Sequence, residues 1–206
     1  YESLVPLAEV LAELLGAGTG SKKVAGAYNA LVREAGSELR LLRELPEEVA
    51  AIHRAYREAG SQIVETNTFG GNRYKLAHYG LGDSVAAINR AGAELARAVA
   101  GDTQHVLASM GPTGAFMEPY GDETEAAFYE AFKAQALAFE AGGADAAIVE
   151  TMMSVEECCV AIRAVRENTG LTCVASFTFD PQPGGGYASM MGVSPEQFAR
   201  EAAAAG

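Results

Sequence analysis

An internal echo constrains the fold of this chain more than any other feature. Glu58-Ala59-Gly60 leads into Ile63-Val64-Glu65-Thr66, and Glu140-Ala141-Gly142-Gly143-Ala144-Asp145 leads into Ile148-Val149-Glu150-Thr151. Both times a helical pattern stops at glycine, and a short apolar run follows that ends in polar residues. One unit is used twice. Strands separated by helical patterns pair in parallel, because a parallel connection needs a crossover of about a dozen residues or more.

The alternation continues along the chain. Residues 46–60 read as a helix with Pro46 in its first turn. Residues 62–69 read as a strand, 83–100 as a helix and 106–110 as a strand ended by Gly111-Pro112-Thr113-Gly114. A helix over 123–141, a strand over 146–151, a helix over 154–168 and a strand over 171–179 follow. Ser154 with Glu157 three residues on predicts a capping box. Ser194-Pro195 opens a last helix. Two α/β architectures fit, an open doubly wound sheet or a barrel. No glycine-rich dinucleotide turn follows a strand, and nearly every strand ends in polar residues, which favours a (β/α)8 barrel. Four clear strands are half of the eight that close one, so the expectation is a partial (β/α)8 barrel over 46–206 behind a divergent segment over 1–45. The chain opens at Tyr1 without Met and stops on a helix-to-glycine signal at Gly206. It therefore reads as trimmed or partial, with exposed strand edges prone to association.

Composition narrows the partners. A formal net charge of -12 argues against nucleic acid, whose phosphates need clustered Lys and Arg. It leaves room for an anionic small molecule. No run of about 18 apolar residues predicts a membrane span. Three cysteines make no disulfide framework, which fits a cytoplasmic location.

Polar strand ends supply the candidate site. Glu65 and Glu150 stand at matching places in the echo, where a carboxylate either meets a substrate ammonium or ties down a loop N–H or an Arg. The run Thr66-Asn67-Thr68-Phe69-Gly70-Gly71-Asn72 offers donors and acceptors suited to an amino-acid carboxylate, or else caps a loop. Gly111 could bring backbone to a ligand or simply turn. His53 and His78 read as packing or surface residues. Cys158 and Cys159, adjacent on a helix, diverge by about 100° and read as packing. Cys173 lies early in its strand. No zinc site can be built from these residues. Gly16-Ala17-Gly18-Thr19-Gly20 reads as a plain turn, since Lys22 and Lys23 are misplaced for a phosphate loop. Residues 180–187 read as a mobile loop, either a lid or an ordinary connection.

Four of these segments occur together in a known order. Glu65-Thr66-Asn67-Thr68-Phe69-Gly70-Gly71-Asn72-Arg73, Ser109-Met110-Gly111-Pro112-Thr113-Gly114, Ile148-Val149-Glu150-Thr151-Met152 and Ser176-Phe177-Thr178-Phe179-Asp180 resemble successive strand ends of the homocysteine S-methyltransferase domain family. That family includes the homocysteine-binding domain of cobalamin-dependent methionine synthase. The resemblance implies methyl transfer to the sulfur of homocysteine or a related thiol, from a methyl-corrinoid such as methylcobalamin or a corrinoid protein. By the family pattern Glu150 would hold the substrate ammonium, Asn67 and Thr68 would line the pocket, and zinc would lower the thiol pKa. The family's zinc cysteines lie in later Gly-x-Asn-Cys-like and Gly-Gly-Cys-Cys-like segments that are absent here. Its first-strand Asp-Gly-Ala-Met-Gly-Thr-like turn has at best a broken echo at 16–20. Zinc is therefore expected only in a longer parent, with no catalytic or metal residue in this chain and no activity from it alone. A non-catalytic barrel homologue that binds a small ligand or partner is the alternative. A Schiff-base aldolase barrel is disfavoured, because none of the four strands carries a Lys.

Overall fold

A computed structural model describes residues 45–206. The helix expected at 4–15, the turn at 16–20 and nearly all of the 1–45 segment lie outside the described residues. The remainder alternates helix and strand. In chain order it comprises α1 (Pro46–Glu58), β1 (Ile63–Glu65), α2 (Arg73–Ala77), α3 (Val85–Ala100), β2 (His105–Met110) and α4 (Glu125–Ala141). Then come β3 (Ala146–Met152), α5 (Val155–Asn168), β4 (Thr172–Phe177), the short pair β5 (Asp180–Pro181) and β6 (Tyr187–Ala188), and α6 (Pro195–Ala205).

The four long-range strands form one parallel sheet in the order β1-β2-β3-β4. Strand order equals chain order, so the reversal that marks a doubly wound sheet does not occur among the described strands. Successive helices pack on one another, α3 on α4, α4 on α5 and α5 on α6. The barrel expectation holds: the described residues form a run of βα units wound in one direction.

Period-2 alternation sorts the strand residues onto two faces. Val64, Val106, Ala108, Met110, Ala147 and Val149 are buried under the helices. Val64 and Val106 pack there with Ala96 and Ala100 of α3, while Ala108, Met110, Ala147 and Val149 meet Phe128, Phe132 and Phe139 of α4, each nearly or fully buried. Burying a side chain of this size stabilises by about 1.5–3 kcal/mol. Helices α3 and α4 approach closely at Gly142, where a Cβ would stand 2.6 Å from the Ala93 Cβ and from the Arg90 carbonyl. The opposite, inner face carries Ile63, Glu65, Leu107, Ser109, Ile148, Glu150 and Val174; Ile63 is 49% and Val174 42% exposed.

At the N-terminal end of the strands, Arg97 ties the layers together. It donates to the carbonyls of Gly143 (3.0 Å), Gly101 (2.9 Å) and Gln104 (3.1 Å) and pairs with Asp145. Asp145 also accepts the Val106 N–H at 2.7 Å.

Three local expectations change. The strand expected at 62–69 shrinks to Ile63–Glu65, because Thr66 and Thr68 spend their hydroxyls on each other and on β2 instead of extending a ladder. The capping box is half made. Ser154 accepts the Glu157 N–H at 3.2 Å, but the Glu157 carboxylate turns away to Thr113. The loop at 180–187 is a small antiparallel ribbon, β5 with β6.

Candidate functional site

Because all four strands run parallel, their polar C-terminal tips share one end of the sheet. Asn67 beyond β1, Ser109 in β2, Glu150 in β3 and Ser176 in β4 therefore all lie toward that end.

Glu150 is held there by a neighbouring strand. It is half-buried, and its Oε1 accepts a hydrogen bond from the Ser109 hydroxyl of the neighbouring strand. The next residue, Thr151, has φ 57°, a left-handed conformation rare for a β-branched residue. The β3–β4 register shifts between Val149 and Met152, and the Thr151 N–H leaves the ladder to donate to the Ser176 hydroxyl at 3.0 Å. A bulge of this kind re-aims a side chain at a strand end.

Glu65 is exposed on the same inner face but stands at another level. It pairs with Leu107, which pairs with Ala146, four residues before Glu150. The echo between the two glutamates in sequence is thus not an equivalence in register. Glu65 and the half-buried Asn67 line a cleft of about 470 Å³ between α1 and β1, together with Ile52, His53 and Tyr56. Burial lowers the His53 pKa to about 4, with Arg54 adding to the effect, so this imidazole is neutral and packs α1 against the sheet.

Thr68 and Gly111 lie beneath the mouth. Thr68 is fully buried, and its hydroxyl donates to the Ser109 carbonyl at 2.8 Å. It shapes the strand ends and presents no open hydrogen-bonding group. Gly111 is required by Phe69: a Cβ would sit 2.5 Å from the ring, and the Gly111 N–H donates to the Phe69 carbonyl at 2.9 Å. The five sequence-predicted residues thus fall into three settings at one end of the sheet, not into a single pocket.

Two grips hold the loop after β2. Asn72 caps α2 through its Oδ1 (Lys75 N–H, 3.0 Å) while its Nδ2 faces the Gly111 and Pro112 carbonyls at 3.5 and 3.4 Å. From the other side Glu157, 5% exposed, accepts both the N–H and the hydroxyl of Thr113 at 2.7 Å. Burial pushes the Glu157 carboxyl above the ordinary glutamate range, while the Thr113 donors and Lys75 pull it back.

Sequence reasoning missed Ser109, Thr151, Ser176 and Glu157. Strand phase was the available signal for Ser109, which is two residues from Leu107 and so on the inner face. Thr151 and Ser176 depend on a bulge that the sequence pattern does not encode.

The residues present do not fit zinc. Among the described residues no three His, Cys, Asp or Glu side chains come together as ligands. Burial pushes the Cys158 thiol up to about 12 and Cys173 to about 11, whereas a zinc ligand must be thiolate. Nor is any described helix long and apolar enough to cross a membrane.

Comparison with known proteins agrees with this geometry. Methionine synthases of Mycobacterium tuberculosis and Mycobacterium leprae are 39% and 38% identical over 112 residues, about half of this chain. The chain matches only 9% of the length of each. Among solved structures, the metallated Escherichia coli homocysteine methyltransferase MmuM aligns with a TM-score of 0.66 at 22% identity, over 81% of this chain and 62% of that one. Its apo form gives 0.62 over 81% and 60%. The model of the family described as homocysteine S-methyltransferase matches residues 18–206. Parallel strand tips, an anchored carboxylate at their mouth and a family match spanning nearly the whole chain lead to one conclusion: this chain belongs to the homocysteine S-methyltransferase family.

Proposed function

We propose that the chain binds homocysteine at the mouth of its strands and presents the thiol for methylation, with a methyl-corrinoid as donor. Glu150 receives the substrate ammonium. Asn67 and Glu65 line the approach, and Thr68 and Gly111 fix the backbone around it. What carries the reading is one observation: a carboxylate oriented by a neighbouring hydroxyl, at the strand ends and on the face that the helices leave open. An oriented carboxylate fits a primary ammonium, and a charge-assisted hydrogen bond is worth about 1.5–3 kcal/mol. The corrinoid supplies the methyl group; the chain binds and orients the acceptor. The zinc that the family resemblance implies would need ligands from outside the described residues. Calorimetric titration of the chain with homocysteine tests the proposal. Binding that weakens about tenfold or more in Glu150→Gln supports it; homocysteine affinity unaffected by that change defeats it.

A second reading, a barrel that binds this ligand without transferring a methyl group, is favoured by the thiols of Cys158 and Cys173, which burial pushes up and away from the thiolate form that zinc needs. Methionine formation from homocysteine and methylcobalamin by the chain alone would exclude it.

A further inference from the structure

We infer that Ser109 is the positioning residue that selects for the amino group of the substrate, an inference that rests on Glu150 as the ammonium acceptor. Hydrogen accounting fixes the arrangement. Thr68 has one hydroxyl hydrogen, and it goes to the Ser109 carbonyl at 2.8 Å. The 2.6 Å contact between the Thr66 and Thr68 hydroxyls must then be a donation from Thr66 to Thr68. Thr66 in turn accepts the Ser109 N–H at 3.0 Å. These three bonds close a ring across the tips of β1 and β2 that occupies both main-chain polar groups of Ser109. All three residues are buried, Ser109 at 2%, Thr66 at 5% and Thr68 at 0% exposure, so water does not compete for these groups.

What remains to Ser109 is its hydroxyl hydrogen, and that points to Glu150 Oε1. The carboxylate is thereby tied to a rigid strand end, with Oε2 left for a ligand donor. On its other flank the Thr151 N–H is held by Ser176 of β4. Glu150 is thus held directly by the Ser109 hydroxyl, and the backbone beside it by the Ser176 hydroxyl. An ammonium requires this fixing because its hydrogen bonds are directional and the open mouth would otherwise let the carboxylate turn to solvent. Ser109 touches Glu150 and not the substrate, so its effect must pass through that carboxylate.

A double-mutant cycle on the full chain, read by homocysteine calorimetry, tests this. Ser109→Ala alone is expected to weaken binding about tenfold. In a Glu150→Gln background the same change is expected to have almost no further effect, because the group that it aims is already disabled. Equal weakening in both backgrounds would overturn the inference, since it would mark Ser109 as a general structural residue. No weakening by Ser109→Ala while Glu150→Gln remains damaging would overturn it and leave the ammonium reading intact. No effect of Glu150→Gln would overturn both. Ser109→Ala adds no volume, and its circular dichroism and melting temperature report whether the strand end survives.

Discussion

The carboxylate of Glu157 accepts both polar hydrogens of Thr113, each at 2.7 Å, although 44 residues separate the two in sequence. It fastens the loop after β2 to the first turn of α5. Removing the carboxylate leaves an N–H and a hydroxyl buried without a partner. Glu157→Ala is therefore expected to cost about 2–4 kcal/mol in urea unfolding, whereas Glu157→Gln keeps the acceptor oxygen and should cost far less. Burial raises the folded pKa above the unfolded one. The carboxyl's contribution to stability is thus present below the unfolded pKa and lost as pH rises through the raised folded value. Unfolding of Glu157→Gln across that range should lack this component.

Asp145 behaves in the opposite way. Burial alone would raise its pKa, but the Val106 N–H, the Arg97 guanidinium and His105 together hold it below the usual aspartate range. Its contribution is present above the unfolded pKa and lost as pH falls through the folded one. Asp145→Asn should flatten the acid limb of the stability profile. Arg97→Ala, which strands three carbonyls, is expected to cost about 1–3 kcal/mol and lower the melting temperature by several degrees.

Thr151 separates stability from binding. A left-handed β-branched residue is strained by about 1–2 kcal/mol, partly offset in the glycine variant by the greater flexibility of its unfolded chain. Thr151→Gly should leave the melting temperature unchanged or slightly higher and yet weaken homocysteine binding, because glycine keeps the N–H bond to Ser176 but loosens the backbone beside Glu150. Loss of both together would contradict this division.

Gly111→Ala drives a methyl group into the Phe69 ring. A loss of about 1–3 kcal/mol is expected, with partial recovery in the Gly111→Ala, Phe69→Leu double variant as the smaller side chain makes room. Thermal melts of the single and double variants check both statements.

Much of the architecture was legible in the sequence because its causes are local. Pro46, Ser154 and Ser194 mark helix starts, and the glycines at 60 and 142–143 mark stops. Strand type followed from composition and parallel pairing from the helices between strands. The mouth was only partly legible. Glu150 stood out as a polar residue in an apolar strand, but its partners come from other strands, where spacing along the chain carries no information. Thr68 looked like a ligand contact because sequence shows a hydroxyl and not the carbonyl that takes its hydrogen. Glu157 was hidden by a helix-start pattern that it fits in sequence and uses only in part. The match between Glu65 and Glu150 failed because the strand register, which the sequence does not show, sets Glu65 level with Ala146 and not with Glu150.

The hydroxyl that holds Glu150 comes from the strand immediately before it in the chain, and the one that holds Thr151 from the strand immediately after. The two bonds span 41 and 25 residues, so both wait on parallel strand pairing, which is intrinsically slow. The arrangement around Glu150 therefore forms only after the end of β1 has docked as well, because Thr66 and Thr68 hold the main chain of Ser109.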